Sequence, residues 1–191
     1  MINGELLLKI ARQAIASAFG LAPEVDKEAL VAEYPELAEE QATFVTLTIG
    51  GRLRGCIGSI IPHRRLIDDL VANARAAAFE DPRFAKLTPE EFEKVDIEVS
   101  LLTVPQPLPY TDVDDLRRKI RPGVDGVILQ LDGRQATFLP QVWEELSDFD
   151  LFFAHLCLKA GLPQNCLAYH PQIFTYEVQK FKECDSAGCG T

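Results

Sequence analysis

The sequence predicts an α+β fold with a mixed or antiparallel sheet and flanking helices, on three observations. Two pairs of alternating segments are each joined by a tight-turn signal, Gly50-Gly51 in one case and Asp132-Gly133 in the other. Segments with helical apolar spacing lie before, between and after these pairs. Hairpins mixed with helices in this way argue against a doubly wound parallel sheet.

The first element is a helix from about Glu5 to Phe19, with Asn3 as N-cap and Gly20 as the stop. Leu7, Ile10, Ala11, Ala14 and Ala18 give it one inward face. Between Glu24 and Glu40, seven acidic residues stand against the single Lys27, which predicts a solvated helix or helical turn, interrupted at Pro35. From Thr43 to Ile49, Val45, Leu47 and Ile49 alternate with threonines at the period of a half-buried strand. The chain then returns through Arg52, Leu53 and Arg54, which puts Leu53 to Ser59, LRGCIGS, at a strand end with Cys56 carried out of the hairpin.

Leu66, Leu70, Ala74 and Ala77 mark the next helix, which ends before Asp81-Pro82. A second opens at Thr88-Pro89-Glu90-Glu91, a capping box with proline at the first helical position. Val95, Ile97, Val99 and Leu101 alternate with Asp96, Glu98 and Ser100, so Glu98 points away from the apolar core. A loop follows over Pro105 to Pro109, then a short helix near Val113 to Ile120 and a hairpin of Gly126 to Leu131 with Arg134 to Leu139. Phe149, Phe152, Phe153, Leu156 and Ala160 define a helix closed by Gly161, and Phe174, Tyr176 and Val178 a last strand.

At 191 residues and 47% hydrophobic, the chain is long enough for one large domain or two lobes. Its apolar runs are far shorter than the roughly 20 residues of a membrane span. The opening residues lack the features of a signal peptide, so a cytoplasmic location is expected and no membrane association. The net charge of −10 opposes binding to a phosphate backbone, and Arg117, Arg118, Lys119 and Arg121 are preceded by three aspartates, so nucleic acid is not an expected partner.

Five cysteines form an odd set without framework spacing, and reduced thiols are expected. His155, Cys157, Cys166 and His170 are side-chain types that zinc accepts, but their spacing fits no compact pattern, and no metal or cofactor is predicted. Cys184 and Cys189 fall in an expected flexible tail over 183–191. Gly123 to Gly126 lacks the lysine and hydroxyl of a phosphate loop and reads as glycines entering a strand.

In LRGCIGS, Gly55 and Gly58 bracket Cys56, as where backbone turns sharply or another group approaches closely. A positive charge folded back from Arg54 would favour the thiolate, the nucleophilic form. An unpaired cysteine is equally a residue type often buried as a small apolar side chain. His63 becomes a candidate base if the chain turns at Pro62. Asp81 to Phe84, DPRF, joins a charge pair to an aromatic ring at a helix end, or is a turn whose Phe84 plugs the core.

Six segments in order carry a resemblance: LRGCIGS, AAAFEDPRF from Ala76, IEVSLL from Ile97, RPGVDGVIL from Arg121, TFLPQVWEEL from Thr137 and KAGLP from Lys159. From about Phe44 to Phe181 the chain resembles the AMMECR family. The resemblance implies two interleaved lobes over residues 1–182, with a cleft near Cys56. It also implies company, because prokaryotic members belong to the AmmeMemoRadiSam set beside a MEMO-type protein and a radical-SAM protein. It implies no agreed reaction. On this footing the leading expectation is an enzyme, or enzyme partner, acting on a small molecule or neighbouring protein. Cys56 is then nucleophile or redox-active thiol, Arg54 and Arg83 its charge partners, and Glu98 an acid or base. Gly55, Gly58, Ser59, Asp81, Phe84 and Lys159 are the candidate binding residues. The rival expectation is a non-catalytic binding or scaffold module for the two companions.

Overall fold

The computed structural model describes residues 2–183, and the cysteines expected in the tail, Cys184 and Cys189, lie outside them. In chain order the elements are α1 (Gly4–Ala18), α2 (Lys27–Glu33), β1 (Ala42–Ile49), β2 (Arg52–Gly58), α3 (Leu66–Phe79), α4 (Pro89–Phe92), β3 (Val95–Leu102), β4 (Gln106–Pro107), α5 (Val113–Lys119), β5 (Gly126–Leu131), β6 (Arg134–Phe138), α6 (Val142–Glu145), α7 (Phe149–Lys159), β7 (Gln172–Tyr176) and β8 (Val178–Lys182). Short 3-10 turns lie at Pro35–Ala38 and Cys166–Tyr169. The strands form two four-stranded sheets, ordered β2-β1-β3-β8 and β4-β7-β5-β6. β1 runs antiparallel to both β2 and β3, β7 to both β4 and β5, and β5 to β6. The α+β class predicted from hairpins and helices is the observed one.

The chain divides into two compact units, one running to Leu102 and resuming at Gln179, the other Thr103–Val178. In the first unit α1 and α3 cover one face of the sheet. Leu7, Ile15, Leu70 and Ala74 meet Val45, Leu47, Ile97 and Val99 in a single apolar cluster. Asn3 caps α1 as predicted, its side chain accepting from the Glu5 amide at 2.9 Å. The acidic α2 buries no residue, whereas Leu37 of the following turn is fully buried and seals the cluster's edge.

In the second unit α5, α6 and α7 cover the corresponding face. Phe152, Phe153, Leu156 and Trp143 pack on Val127, Leu129 and Ile173, with Trp143 and Phe152 stacked at 3.6 Å between ring centroids. The Asp132-Gly133 turn has both residues at positive φ, 52° and 75°, as a two-residue hairpin requires.

Two local expectations are corrected. Gln106–Pro107, expected as loop, makes a two-residue edge strand against Phe174 and Thr175. The last strand is two, β7 in one sheet and β8 in the other, because the alternation at Tyr176 and Val178 continues past a break at Glu177. Glu183, the first residue of the expected tail, is tied down: its carboxylate accepts two bonds from Arg12, at 2.6 and 2.7 Å, and one from the Ile97 amide at 2.9 Å.

Candidate functional site

Cys56 is not carried out of the hairpin but lies inside β2, directly opposite Thr46 of β1. Thr46 in turn faces Glu98 of β3. Directly opposed residues share a face of a sheet, so Cys56, Thr46 and Glu98 form a row across three strands on the face away from α1 and α3. Within the row the Cys56 Sγ and Thr46 Oγ1 are hydrogen-bonded at 3.2 Å. Glu98 is held by Lys182 of β8 at 3.4 Å. A cavity of about 380 Å3 borders the Glu98 end of the row, with Thr48, Asp96 and Lys182 among its walls.

β2 is an edge strand, and its outward backbone groups at Cys56 would otherwise lack a partner. The DPRF turn supplies one for each. Asp81 Oδ2 accepts from the Cys56 amide at 2.9 Å, and Arg83 reaches the Cys56 carbonyl at 3.5 Å. Asp81 is itself gripped by Arg83, whose Nε and terminal nitrogen lie 3.0 and 2.8 Å from its two oxygens. This guanidinium holds the Asp81 carboxyl well below the usual carboxylate range, so the clamp is ionic.

Glycine at 55 and 58 has a steric reason. A Cβ on Gly55 would collide with the Ala77 carbonyl of α3, and one on Gly58 with the ring of Phe44. Ser59 and the end of β2 are tied inward as well. Asp69 of α3, fully buried, accepts from Ser59 Oγ at 2.9 Å, Arg64 Nε at 2.7 Å, the Thr43 amide at 2.8 Å, Thr43 Oγ1 at 2.7 Å and Asn73 Nδ2 at 2.9 Å. Sequence reasoning missed Thr43, Asp69 and Asn73 as site residues. Their signal was a polar pair at i, i+4 within the apolar stripe of α3.

Arg54 falls at the register shift of the β1–β2 pair, where the pairing passes from Leu47↔Gly55 to Thr48↔Leu53 and leaves Arg54 unopposed. It turns to Glu91 of α4, with bonds of 2.7 and 3.1 Å, and to the Ala85 carbonyl at 2.9 Å. This holds the Glu91 carboxyl down at about 2. Arg54 is therefore committed to α4, and its charge does not fold back on the thiol. Phe84, half-buried, lies under both guanidiniums, 5.7 Å from Arg54 and 5.5 Å from Arg83. His63 is bonded to the carbonyl of Ile61.

Burial pushes the Cys56 thiol above its ordinary pKa. The Thr46 hydrogen bond and the Arg83 charge pull it down, Asp81 and Glu98 push it further up, and burial dominates. The resting group is a neutral thiol at neutral pH.

Of the candidate residues, Cys56, Asp81, Arg83, Phe84 and Arg54 thus form one connected cluster, joined across the sheet by Glu98. Lys159 belongs to the second unit, where its ammonium donates to the Thr137 carbonyl at 2.9 Å over the ring of Phe138. Burial lowers its pKa. The expectation of reduced thiols fails at Cys157 and Cys166, which form a disulfide. The end of α7 and the following 3-10 turn bring their Cα atoms to 5.9 Å, within bridging range. Neither sulfur is then a free zinc ligand, and no group of three metal-binding side chains occurs among the described residues. No helix among them is long and apolar enough to cross a membrane.

Residues 8–181 match the AMMECR1 family. A protein of Methanothermobacter thermautotrophicus is 39% identical over 185 residues, covering 95% of this chain and 94% of its own. One from Methanocaldococcus jannaschii is 38% identical, covering 85% of this chain and 83% of its own. The crystal structure of an uncharacterized protein from Pyrococcus horikoshii superposes with a TM-score of 0.82 at 34% identity, covering 94% of this chain and 91% of that one.

Proposed function

The chain belongs to the AMMECR1 family, and from that premise we propose that it is a binding module whose recognition surface is the row Cys56, Thr46 and Glu98. The partners proposed are the MEMO-type and radical-SAM companions, with Cys56 acting as a neutral hydrogen-bonding group. One observation carries this reading: both backbone groups of Cys56 are pinned by Asp81 and Arg83 while burial keeps the thiol protonated. Such an arrangement fixes the position of a side chain without making it nucleophilic. A second reading, an enzyme with Cys56 as nucleophile or redox-active thiol, draws on the Thr46 bond and the Arg83 charge, which both favour the thiolate.

The two readings separate on the thiol's titration. The experiment follows iodoacetamide alkylation of Cys56 against pH in a chain carrying Cys184→Ser and Cys189→Ser. The binding reading expects a midpoint above the roughly 8.5 of a free thiol. It also expects calorimetric binding of a companion that Cys56→Leu weakens without unfolding the chain. A midpoint below that of a free thiol would sink it in favour of the nucleophile.

A further inference from the structure

The second unit carries a row of its own on the sheet face away from its helices. Gln172 of β7 opposes Gln130 of β5, and Gln130 opposes Gln135 of β6. Three primary amides therefore line up across three strands. Gln130 Nε2 donates to Gln135 Oε1 at 2.5 Å, which leaves the oxygen of one and the amino group of the other for a further partner. Gln172 is exposed and makes no side-chain hydrogen bond among the described residues. Whichever way each amide is turned, the row offers both a donor and an acceptor.

Two cavities meet at this row. One of about 410 Å3 lies over the glutamines, edged by Asp132 and Arg134. The other, about 330 Å3, shares Gln172 and His170 with it and is walled by Pro107, Pro109, Tyr110 and Phe174. Each is of the size that small-molecule sites adopt, and the pair combines an apolar wall with a few directed polar groups.

The walls are held before any ligand arrives. Tyr110 and His170 stack with centroids 4.3 Å apart and planes 13° from parallel. The Tyr110 hydroxyl donates to the Pro171 carbonyl at 2.5 Å, and His170 Nε2 bonds the Tyr110 carbonyl at 3.1 Å. His170 takes a left-handed backbone, φ 52°, at the end of the turn that begins at the disulfide-bonded Cys166. A side chain held in that conformation between two cavities is a constraint the surrounding structure maintains.

We propose that this face binds an uncharged planar heteroaromatic compound bearing an amide or lactam edge. The ring lies in the cavity walled by prolines, Tyr110 and Phe174, and the edge pairs with the glutamine row. Charge complementarity selects the uncharged class, since the lining carries Arg134 and Asp132 in balance and Arg134 is already donating to the Gly161 carbonyl. This site lies in the second unit and does not depend on the reading of Cys56.

The test is an NMR titration of the full chain, 15N-labelled, with nicotinamide and 2-pyridone, each joining a ring to an amide, and with pyridine and acetamide as the separate halves. Saturable shifts are expected at Tyr110, His170, Gln172 and Gln135 for the first two probes, and much weaker ones for the halves. Gln172→Ala, at an exposed position that does not threaten the fold, should weaken binding roughly fivefold, the effect of one lost hydrogen bond. Gln135→Ala should act in the same direction. The proposal is overturned if neither joined probe shifts these residues saturably, or if both variants bind as well as the wild type with unchanged spectra elsewhere.

Discussion

The two sheets are built alike and equipped differently. Each has four strands, a helix-covered apolar face and, on its other face, three side chains in register across three strands. In the first the row is Cys56, Thr46 and Glu98, two of which can ionise; in the second it is Gln172, Gln130 and Gln135, none of which can. Their supports differ in the same sense. In the first, Cys56 is anchored by the buried carboxylate of Asp81, and the strand ends of the same sheet, at Thr43 and Ser59, by that of Asp69. The second is anchored by a covalent bridge and stacked rings. Directional ionic bonds fix the orientation of a single side chain, whereas a cross-link and flat rings fix the shape of a wall. A placed thiol needs the former and an apolar pocket the latter.

The largest expected effect tests the ionic side of this contrast. Asp69→Ala removes a fully buried acceptor shared by five donors, three of which, from Thr43 and Asn73, are themselves buried. A loss of about 3–5 kcal/mol is expected, because a buried network is left unpaired. Urea denaturation measures it, and hydrogen exchange locates it: amides of β1 and β2 should lose protection while those of β5 and β7 keep theirs. A loss under about 1 kcal/mol would mean the network is ornamental to the first sheet.

The matching experiment on the second unit is reduction of the Cys157–Cys166 bridge. The bridge closes a loop with a sequence separation of nine, and chain-entropy arguments put its contribution at about 2–3 kcal/mol. Reduction should raise hydrogen exchange in the turn Cys166–Tyr169 and in β7, leaving β1 and β2 as they were. Equal exposure of both sheets would break the comparison, since each support would then be serving the whole chain.

Element types were largely legible from periodicity and caps, down to the Asn3 cap and the Asp132-Gly133 turn. LRGCIGS and DPRF were legible as places of interest, and the fold explains their chemistry as steric and ionic fastening around Cys56. The row itself was hidden. Its alignment depends on the register shift at Arg54, and one residue of slip moves every side chain to the other face. That same shift is why Arg54 serves Glu91 rather than the thiol. Asp69 and Asn73 were hidden because a helix stripe read for apolar residues passes over polar ones inside it. The disulfide was hidden because its two cysteines meet only after α7 and the following turn have packed.

The smallest effect examines whether the first row is electrically connected. Glu98 places a negative charge in the row of Cys56, and that charge disfavours the thiolate. Glu98→Gln keeps the shape and removes the charge, so the Cys56 pKa should fall while staying above that of a free thiol, since burial, the largest cause, is untouched. Alkylation at a pH of about 8 should then quicken roughly twofold to threefold. Arg83→Gln should slow it, because a charge that favours the thiolate is lost. Stability follows the same sign. A thiol raised on folding contributes stability that is fully present below the unfolded pKa of roughly 8.5 and is lost as pH rises through the folded one. In Glu98→Gln that alkaline loss should be shallower than in the wild type. If the alkylation profile does not move, the row is a geometric alignment without electrostatic coupling, and Glu98 is a partner of Lys182 alone.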